Sequence, residues 1–300
     1  MNIVVAHSDS DGVVSTSLYF KKFSFLNTLC YFSSASMLKS TLCKIIATQD
    51  ELDKLFIFDI APTDLNVRLS SIFKEVIWID HHENKLNIEI PSNVTIFGNI
   101  NYKSASRAVA DYFEIKSEIL DFIDEIDTND IKSEEAKFLR DLVSSIKIKY
   151  STNSSKRLHF LSKLLAFYTI KDLMEREEYV KLVENYRKFI DSNIEKVLGT
   201  KKIFNIKGRN VLFVETTFQM PIYEIYNRVK NEADLFIGII RRVNIRKGIV
   251  STKIEMRSES INVFSLAKNF GGGGHSRAAG VTVNKFVSLE ELIREIEKIL

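Results

Sequence analysis

Three side chains near the amino terminus could do metal chemistry together: His7, Asp9 and Asp11, in His7-Ser-Asp9-Ser-Asp11-Gly12. Two apart on an extended chain, they point to one face. An imidazole among carboxylates is a hard-to-borderline ligand set, which suits Mn2+, Mg2+ or Fe2+ better than a thiolate-preferring ion. Two more candidates stand at strand-like ends: Asp59 after Lys54-Leu-Phe-Ile-Phe, and Asp80-His81-His82 after Val76-Ile-Trp-Ile. Only five histidines occur in 300 residues, and four of them, His7, His81, His82 and His275, sit in stretches dense in Asp or Gly. With Asp59, His81 and one further acid, the ligands suffice for two ions sharing a bridging carboxylate. Such ions, about 3.5–4 Å apart, can hold a hydroxide and neutralise charge developing at phosphorus. Phosphate ester hydrolysis is the reaction that fits. A single carboxylate at a strand end ordinarily caps a helix, but several strand ends carrying Asp and His together favour the metal reading.

A second set lies far downstream. Gly271 to Gly274 supply backbone that can approach an anion closely, and the flanking His275 and Arg277 add an imidazole and a guanidinium suited to a phosphate or nucleotide end. Arg257 stands at a strand end and could add a bidentate contact. Residues 201–300 hold 17 Lys and Arg against 10 Asp and Glu, a surplus of +7, which leaves −4 for the first 200 residues of a chain with net charge +3. That asymmetry suits a polyanion held by the rear part and worked on by carboxylate-bound metal in the front. Tyr223, Tyr226 and Phe270 are candidates for stacking bases, or equally for core.

These groups need a scaffold that brings strand ends to one edge. Asn2 to Ala6, Leu29 to Phe32, Lys54 to Phe58 and Val76 to Ile79 read as short strands. Helices from about Val13 to Lys22, Ser36 to Ala47 and onward from Asp64, expected as its cap, to Lys74 alternate with them. That alternation predicts an α/β domain, a parallel sheet with helices on both faces and ligands at the carboxyl ends of its strands. From Ser104 the pattern turns helical through a connector that ends near Gly199. Strands and hairpin turns then resume, including a turn at Arg246-Lys247-Gly248, which predicts a smaller mixed α/β domain. The expected boundaries are 1–132, 133–199 and 200–300.

Composition narrows the class further. No apolar run approaches the roughly 20 residues of a membrane span, and the amino terminus lacks a signal-like pattern. Cys30 and Cys43 make no zinc pattern, which points to a reducing compartment. The expectation is a cytoplasmic protein with no membrane partner.

The ordered set HxDxDG at His7 to Gly12, the strand-end Asp59, the triplet Asp80-His81-His82 and the late GGGGHxxAAG resembles the DHH phosphoesterase family over nearly the whole chain. The carboxyl-terminal part resembles the DHH-associated domain of RecJ-like exonucleases and nanoRNases. The resemblance implies a metal site on the first domain and a second domain that holds substrate. It implies two Mn2+ ions, with Mg2+ as the substitute. His7, Asp9 and Asp59 would hold one, and Asp11, Asp59, His81 and a later aspartate the other. The family's fourth motif has a Gly-Asp step; the matching stretch here has isoleucine for that glycine, and Asp127 is the choice, with Asp130 next and Asp124 third. His82 would act at the scissile phosphate or the leaving oxygen, with Asp80 orienting the histidines, while Arg257, Gly273, Gly274 and His275 would grip the nucleotide end. The expected substrate is a short oligonucleotide or single-stranded nucleic acid, with replication or repair proteins as the partner class. A 3′,5′-bisphosphonucleotide or cyclic dinucleotide is the alternative substrate, and a replication-associated scaffold without chemistry the alternative class.

Overall fold

A computed structural model describes the chain except for residues 84–85, 218–219 and 245–248; the turn expected at Arg246-Lys247-Gly248 lies outside the described residues. The chain divides into two compact units, 1–187 and 188–300.

The first unit carries strands β1 (Asn2–His7), β2 (Thr28–Ser33), β3 (Lys54–Phe58), β4 (Glu75–Ile79) and β5 (Val94–Phe97). They form one sheet in the order β2-β1-β3-β4-β5, every pair parallel. The helices within it are α1 (Ser10–Lys22), α2 (Leu38–Thr48), α3 (Asp64–Ser70), α4 (Ala105–Tyr112), α5 (Ile119–Asp127), α6 (Glu134–Tyr150), α7 (Ser154–Phe167) and α8 (Ile170–Met174). Alternation along the strands feeds two cores. Ile3, Val5, Leu55, Ile57, Val76 and Trp78 pack with Leu38, Leu42 and Ile45 of α2 and with Val67 of α3. Their neighbours Val4, Ala6, Phe56, Phe58, Ile77 and Ile79 pack on the other face with α1, α4, α5, α6 and α7. Strands buried on both faces read as unbroken apolar runs, which is why helices must cover both sides. Each fully buried Ile, Leu or Phe contributes about 1.5–3 kcal/mol. The two layers can therefore offset the few kcal/mol that a buried acid cluster costs.

Two local expectations change. Thr63 rather than Asp64 caps α3, its hydroxyl accepting from the Asn66 amide at 3.3 Å, and the helix ends at Ser70. The extended φ and ψ of Thr63 suit a cap, which leaves Asp64 in the first helical turn. Strand β5 was unanticipated although Val94, Ile96 and Phe97 are apolar; the run is only four residues long, and only Val94 is buried.

α9 (Glu177–Leu198) spans the division between the units. The second unit holds β6 (Lys202–Ile206), β7 (Arg209–Thr216), β8 (Leu235–Asn244), β9 (Ile249–Arg257), β10 (Gly273–His275) and β11 (Ala278–Val283), with α10 (Ile222–Val229), α11 (Val263–Asn269) and α12 (Leu289–Ile299). Its sheet runs β10-β11-β9-β8-β7-β6, with β7 and β8 parallel and the other pairs antiparallel. Val263 and Leu266 of α11 and Leu292 and Ile296 of α12 pack on one core with Ile237, Ile239 and Met256. At Gly238 a side-chain Cβ would stand 2.6 Å from Ile222 Cδ1, so the missing side chain lets α10 lie close to β8. Among the described residues no helix is long and apolar enough to cross a membrane.

Candidate metal centre

The carboxyl edge of the parallel sheet gathers the first set. β1 ends at His7, and Asp9 caps α1: its Oδ1 accepts the Gly12 amide at 3.1 Å, while its Oδ2 lies 2.6 Å from His7 Nδ1. A Cβ on Gly12 would stand 2.1 Å from the His7 carbonyl oxygen. Glycine is what allows a helix to start this close to the strand it follows.

Asp59 is the first residue after β3, buried, with φ +58. Its amide donates to the Ile79 carbonyl at 3.0 Å, tying the turn to β4. A left-handed conformation is rare for a side-chain-bearing residue but least costly for Asp and Asn. The turn leaves the carboxylate between the two histidines, with Oδ2 3.4 Å from His7 Nδ1 and Oδ1 3.8 Å from His81 Nε2. Oδ2 is buried without a hydrogen bond.

His81 Nδ1 faces the Tyr102 carbonyl at 3.3 Å; a carbonyl only accepts, so Nδ1 is the donor there and Nε2 is turned toward the acids. Around Nε2 stand Asp127 at 3.3 Å, Asp59 at 3.8 Å and Asp11 at 3.9 Å. Asp11 accepts the amides of Ala105 at 2.6 Å and Ser106 at 2.7 Å, and also the Ser106 hydroxyl, so the first turn of α4 holds it in place. His82 donates both its backbone amide, at 3.0 Å, and its Nδ1–H, at 2.8 Å, to Asp80.

Of the three candidates for the last acid, Asp127 is the one beside His81. Asp124 is taken by the Ser104 hydroxyl at 2.8 Å and Arg107 Nε at 2.7 Å, and exposed Asp130 pairs with Lys132 at 2.7 Å. Donor atoms of His7, Asp9 and Asp59 lie within 4.8 Å of one another, as do those of Asp11, His81 and Asp127, the spread expected of ligands around one ion each. An acid- and imidazole-rich donor set with an orphaned buried carboxylate oxygen between its two halves fits divalent cations.

The electrostatics agree. Burial, reinforced by the neighbouring Asp9, Asp11, Asp127 and Asp80, pushes Asp59 well above the usual carboxylate range. Burial, with Asp11 and Asp9 nearby, does the same to Asp127. Asp11 is raised mainly by burial, against the pull of His81 and Ser106. For Asp9, burial is outweighed by the facing His7 and by Lys147, which hold it far below the usual range. Burial opposes the charge on His82, but Asp80 raises the imidazole to about 9. A cluster of carboxylates that cannot all ionise comfortably is one that cations would relieve.

In the second unit, strand register sets His275 opposite Ala278, and Ala278 opposite Arg257. The imidazole and this guanidinium therefore share one face of the sheet with one strand between them. Arg277 lies in the turn between β10 and β11 and pairs with Glu259 at 3.1 Å. Three of the four glycines are demanded by the fold: Gly271 and Gly274 have φ +77 and +133, and a Cβ on Gly272 would meet the Gly280 carbonyl oxygen at 2.4 Å. Gly273 has ordinary φ and open space around its missing side chain. Tyr226 is core, its ring 5.7 Å from that of Phe236, and so is no stacking platform.

Sequence reasoning missed Ser104, Ser106 and Arg107, which position Asp11 and Asp124. It also missed Gly98, where φ is +99 and a Cβ would stand 2.2 Å from the Asp80 carbonyl oxygen. A glycine directly after Ile96-Phe97 was the available signal for that close approach; nothing local marks the two serines.

A parallel sheet with acids and imidazoles at its carboxyl edge, followed by a mixed sheet with a glycine-rich hairpin, is a fold shared with solved RecJ structures. Residues 211–300 match the DHHA1 domain. The chain is similar to a pGpG-specific phosphodiesterase, PggH, from Vibrio cholerae, with TM-score 0.61 and 18% identity over 99% of this chain and 96% of that one. It is similar to RecJ in complex with Mn2+ from Thermus thermophilus, with TM-score 0.59 and 12% identity over 99% of this chain and 51% of that one. A second exonuclease RecJ bound to manganese gives TM-score 0.53 and 12% identity over 99% and 89%. No curated protein sequence matches the chain.

Proposed function

We propose that the protein is a metal-dependent phosphodiesterase that hydrolyses short oligonucleotides or single-stranded nucleic acid from an end. The observation that carries this reading is Asp59, buried between His7 and His81 with one oxygen unbonded, so that one carboxylate adjoins both donor groups. His7, Asp9 and Asp59 would hold one cation, and Asp11, Asp59, His81 and Asp127 a second, with Mn2+ the preferred ion. When bound, such a pair supplies a nucleophile at neutral pH and neutralises charge growing on the phosphoryl oxygens. The chain's own contribution is positional. The first turn of α4 fixes Asp11, the Tyr102 carbonyl orients the His81 ring, and Asp80 keeps His82 protonated so that it can donate a proton to the leaving oxygen. Arg257, Gly273, Gly274, His275 and Arg277 would bind the nucleotide end, a role in keeping with the +7 surplus of residues 201–300 and with the open space at Gly273.

The test is digestion of end-labelled oligonucleotides, a dinucleotide, a bisphosphonucleotide and a cyclic dinucleotide with Mn2+, with products resolved. Mononucleotides released from the linear substrates, and lost with Asp59→Asn, are expected. Linear substrates left intact by the parent protein would refute the proposal, and turnover confined to the bisphosphonucleotide or the cyclic dinucleotide would move the activity to another substrate class.

A further inference from the structure

Residues 142–171 contain six Lys and Arg and no Asp or Glu, in a chain with 39 acids overall and in the part of it that is net acidic. They cover the end of α6, the turn after it and α7. Lys149, Lys156 and Arg157 are exposed, and no ion pair is made by any of the three among the described residues. On α9, where acids alternate with bases, Lys181 by contrast pairs with Glu177 at 2.5 Å. An unbalanced cationic strip repels itself, so its presence is better explained by an external anion than by stability.

The strip is held together and placed. The Tyr150 ring has the Lys149 ammonium 5.5 Å from its centre and the Arg157 guanidinium at 4.8 Å, which keeps both cations on one surface. Ser155 accepts the Phe32 amide at 3.3 Å, and the neighbouring Ser33, the last residue of β2, is in register with His7. Ser162 of α7 donates to the Val13 carbonyl at 3.0 Å, seating α7 on the helix that Asp9 caps. The turn therefore borders the edge where the metal ligands gather.

We propose that the turn between α6 and α7 is a track for the phosphodiester backbone, on which Lys149, Lys156 and Arg157 hold the part of a single strand that extends beyond the metal centre. This rests on the phosphodiesterase reading above and narrows it to substrates longer than a dinucleotide. The acid cluster itself repels a polyanion, and flanking cations are what let such a strand approach. A dinucleotide has too few phosphates to reach both the metal centre and the track.

The test combines Lys149→Glu, Lys156→Glu and Arg157→Glu in one chain and the three Gln replacements in another, with Lys147 left in place. The first measurement is anisotropy of a labelled single strand of about 20 nucleotides in chelator, which needs no activity. A Kd raised about tenfold or more by the reversal, less by the Gln set, is expected. The dependence of log K on log salt should flatten by about 2, since each single-strand phosphate contact contributes about 0.7. With Mn2+, the ratio of kcat/KM on the long strand to that on a dinucleotide should fall in both variants. Affinity, salt slope and ratio all equal to the parent's, in variants with the parent's melting temperature, would overturn the track and leave an acidic protein surface as the strip's partner. A parent that cleaves nothing refutes the phosphodiesterase reading, while the anisotropy still decides whether the strip binds a strand.

Discussion

Replacing Asp59 by Asn should make the metal-free protein more stable while removing its chemistry. Asn tolerates the left-handed φ of +58 as well as Asp does, so the backbone is not disturbed, whereas Ala would add strain. Donor atoms of Asp59 and Asp9 lie within 4.8 Å of each other, and two carboxylates at that distance repel by about 3.5 kcal/mol at an effective dielectric of about 20. His7, 3.4 Å from Asp59, offsets part of this, and proton uptake relieves more, so the net gain should be about 1–3 kcal/mol. For a unit of 187 residues that is a rise in Tm of about 2–12 °C. The gain has a definite pH dependence. Because the folded-state pKa of Asp59 is raised, the stability of the parent is fully present below the ordinary value of 3.8 and is lost as pH rises through the folded value. The variant should therefore match the parent near pH 4 and exceed it increasingly toward pH 8. Saturating Mn2+ should then reverse or close the gap, since a ligand at about 100 times its Kd contributes about 2.7 kcal/mol to the form that binds it. The assay is thermal unfolding followed by circular dichroism, in chelator and in Mn2+, across pH. An Asp59→Asn protein that melts below the parent in chelator at neutral pH would show that Asp59 makes a stabilising structural contact, and the argument for a cation bridge would fail.

Three other outcomes are expected. Asp80→Asn removes the anion that raises His82 to about 9; the imidazole should fall back toward 6.5, and the alkaline limb of kcat/KM against pH should move down with it, since the protonated form is the donor. An unmoved limb would take His82 out of proton transfer. Gly12→Ala places a Cβ 2.1 Å from the His7 carbonyl oxygen and should cost several kcal/mol, on the order of 3 or more, as chemical denaturation would read; a loss below about 1 kcal/mol would mean that α1 can shift cheaply. Gly273→Ala meets open space, so Tm should change by no more than about 0.5 kcal/mol allows, while KM for the oligonucleotide rises; an unchanged KM would remove this glycine from substrate binding.

Much of this was legible locally. Apolar runs ending in Asp or His marked β1, β3 and β4, and alternation with helices implied a parallel sheet whose carboxyl ends share an edge, so His7, Asp9, Asp11, Asp59 and His81 could be grouped before any coordinates. Spacing along the chain is a sufficient guide there, because parallel strands place equivalent ends side by side. Spacing alone did not separate Asp127 from Asp130 and Asp124; the resemblance to the family motif put Asp127 first, and the structure sets it beside His81. All three sit on or just past one short helix, and the choice depends on Ser104 and Arg107 occupying Asp124 from another part of the chain.

The sequence by itself determined which residue types are available for chemistry and on which elements they ride, because strand and helix periodicity and the scarcity of histidine are local properties. Tertiary structure alone decided that Asp59 turns left-handed to lie between two imidazoles, that the start of α4 grips Asp11, and that an acid-free helical turn borders the same edge. Each of these depends on contacts between residues tens of positions apart, made only when the sheet assembles and buried charges must find partners or wait for a cation.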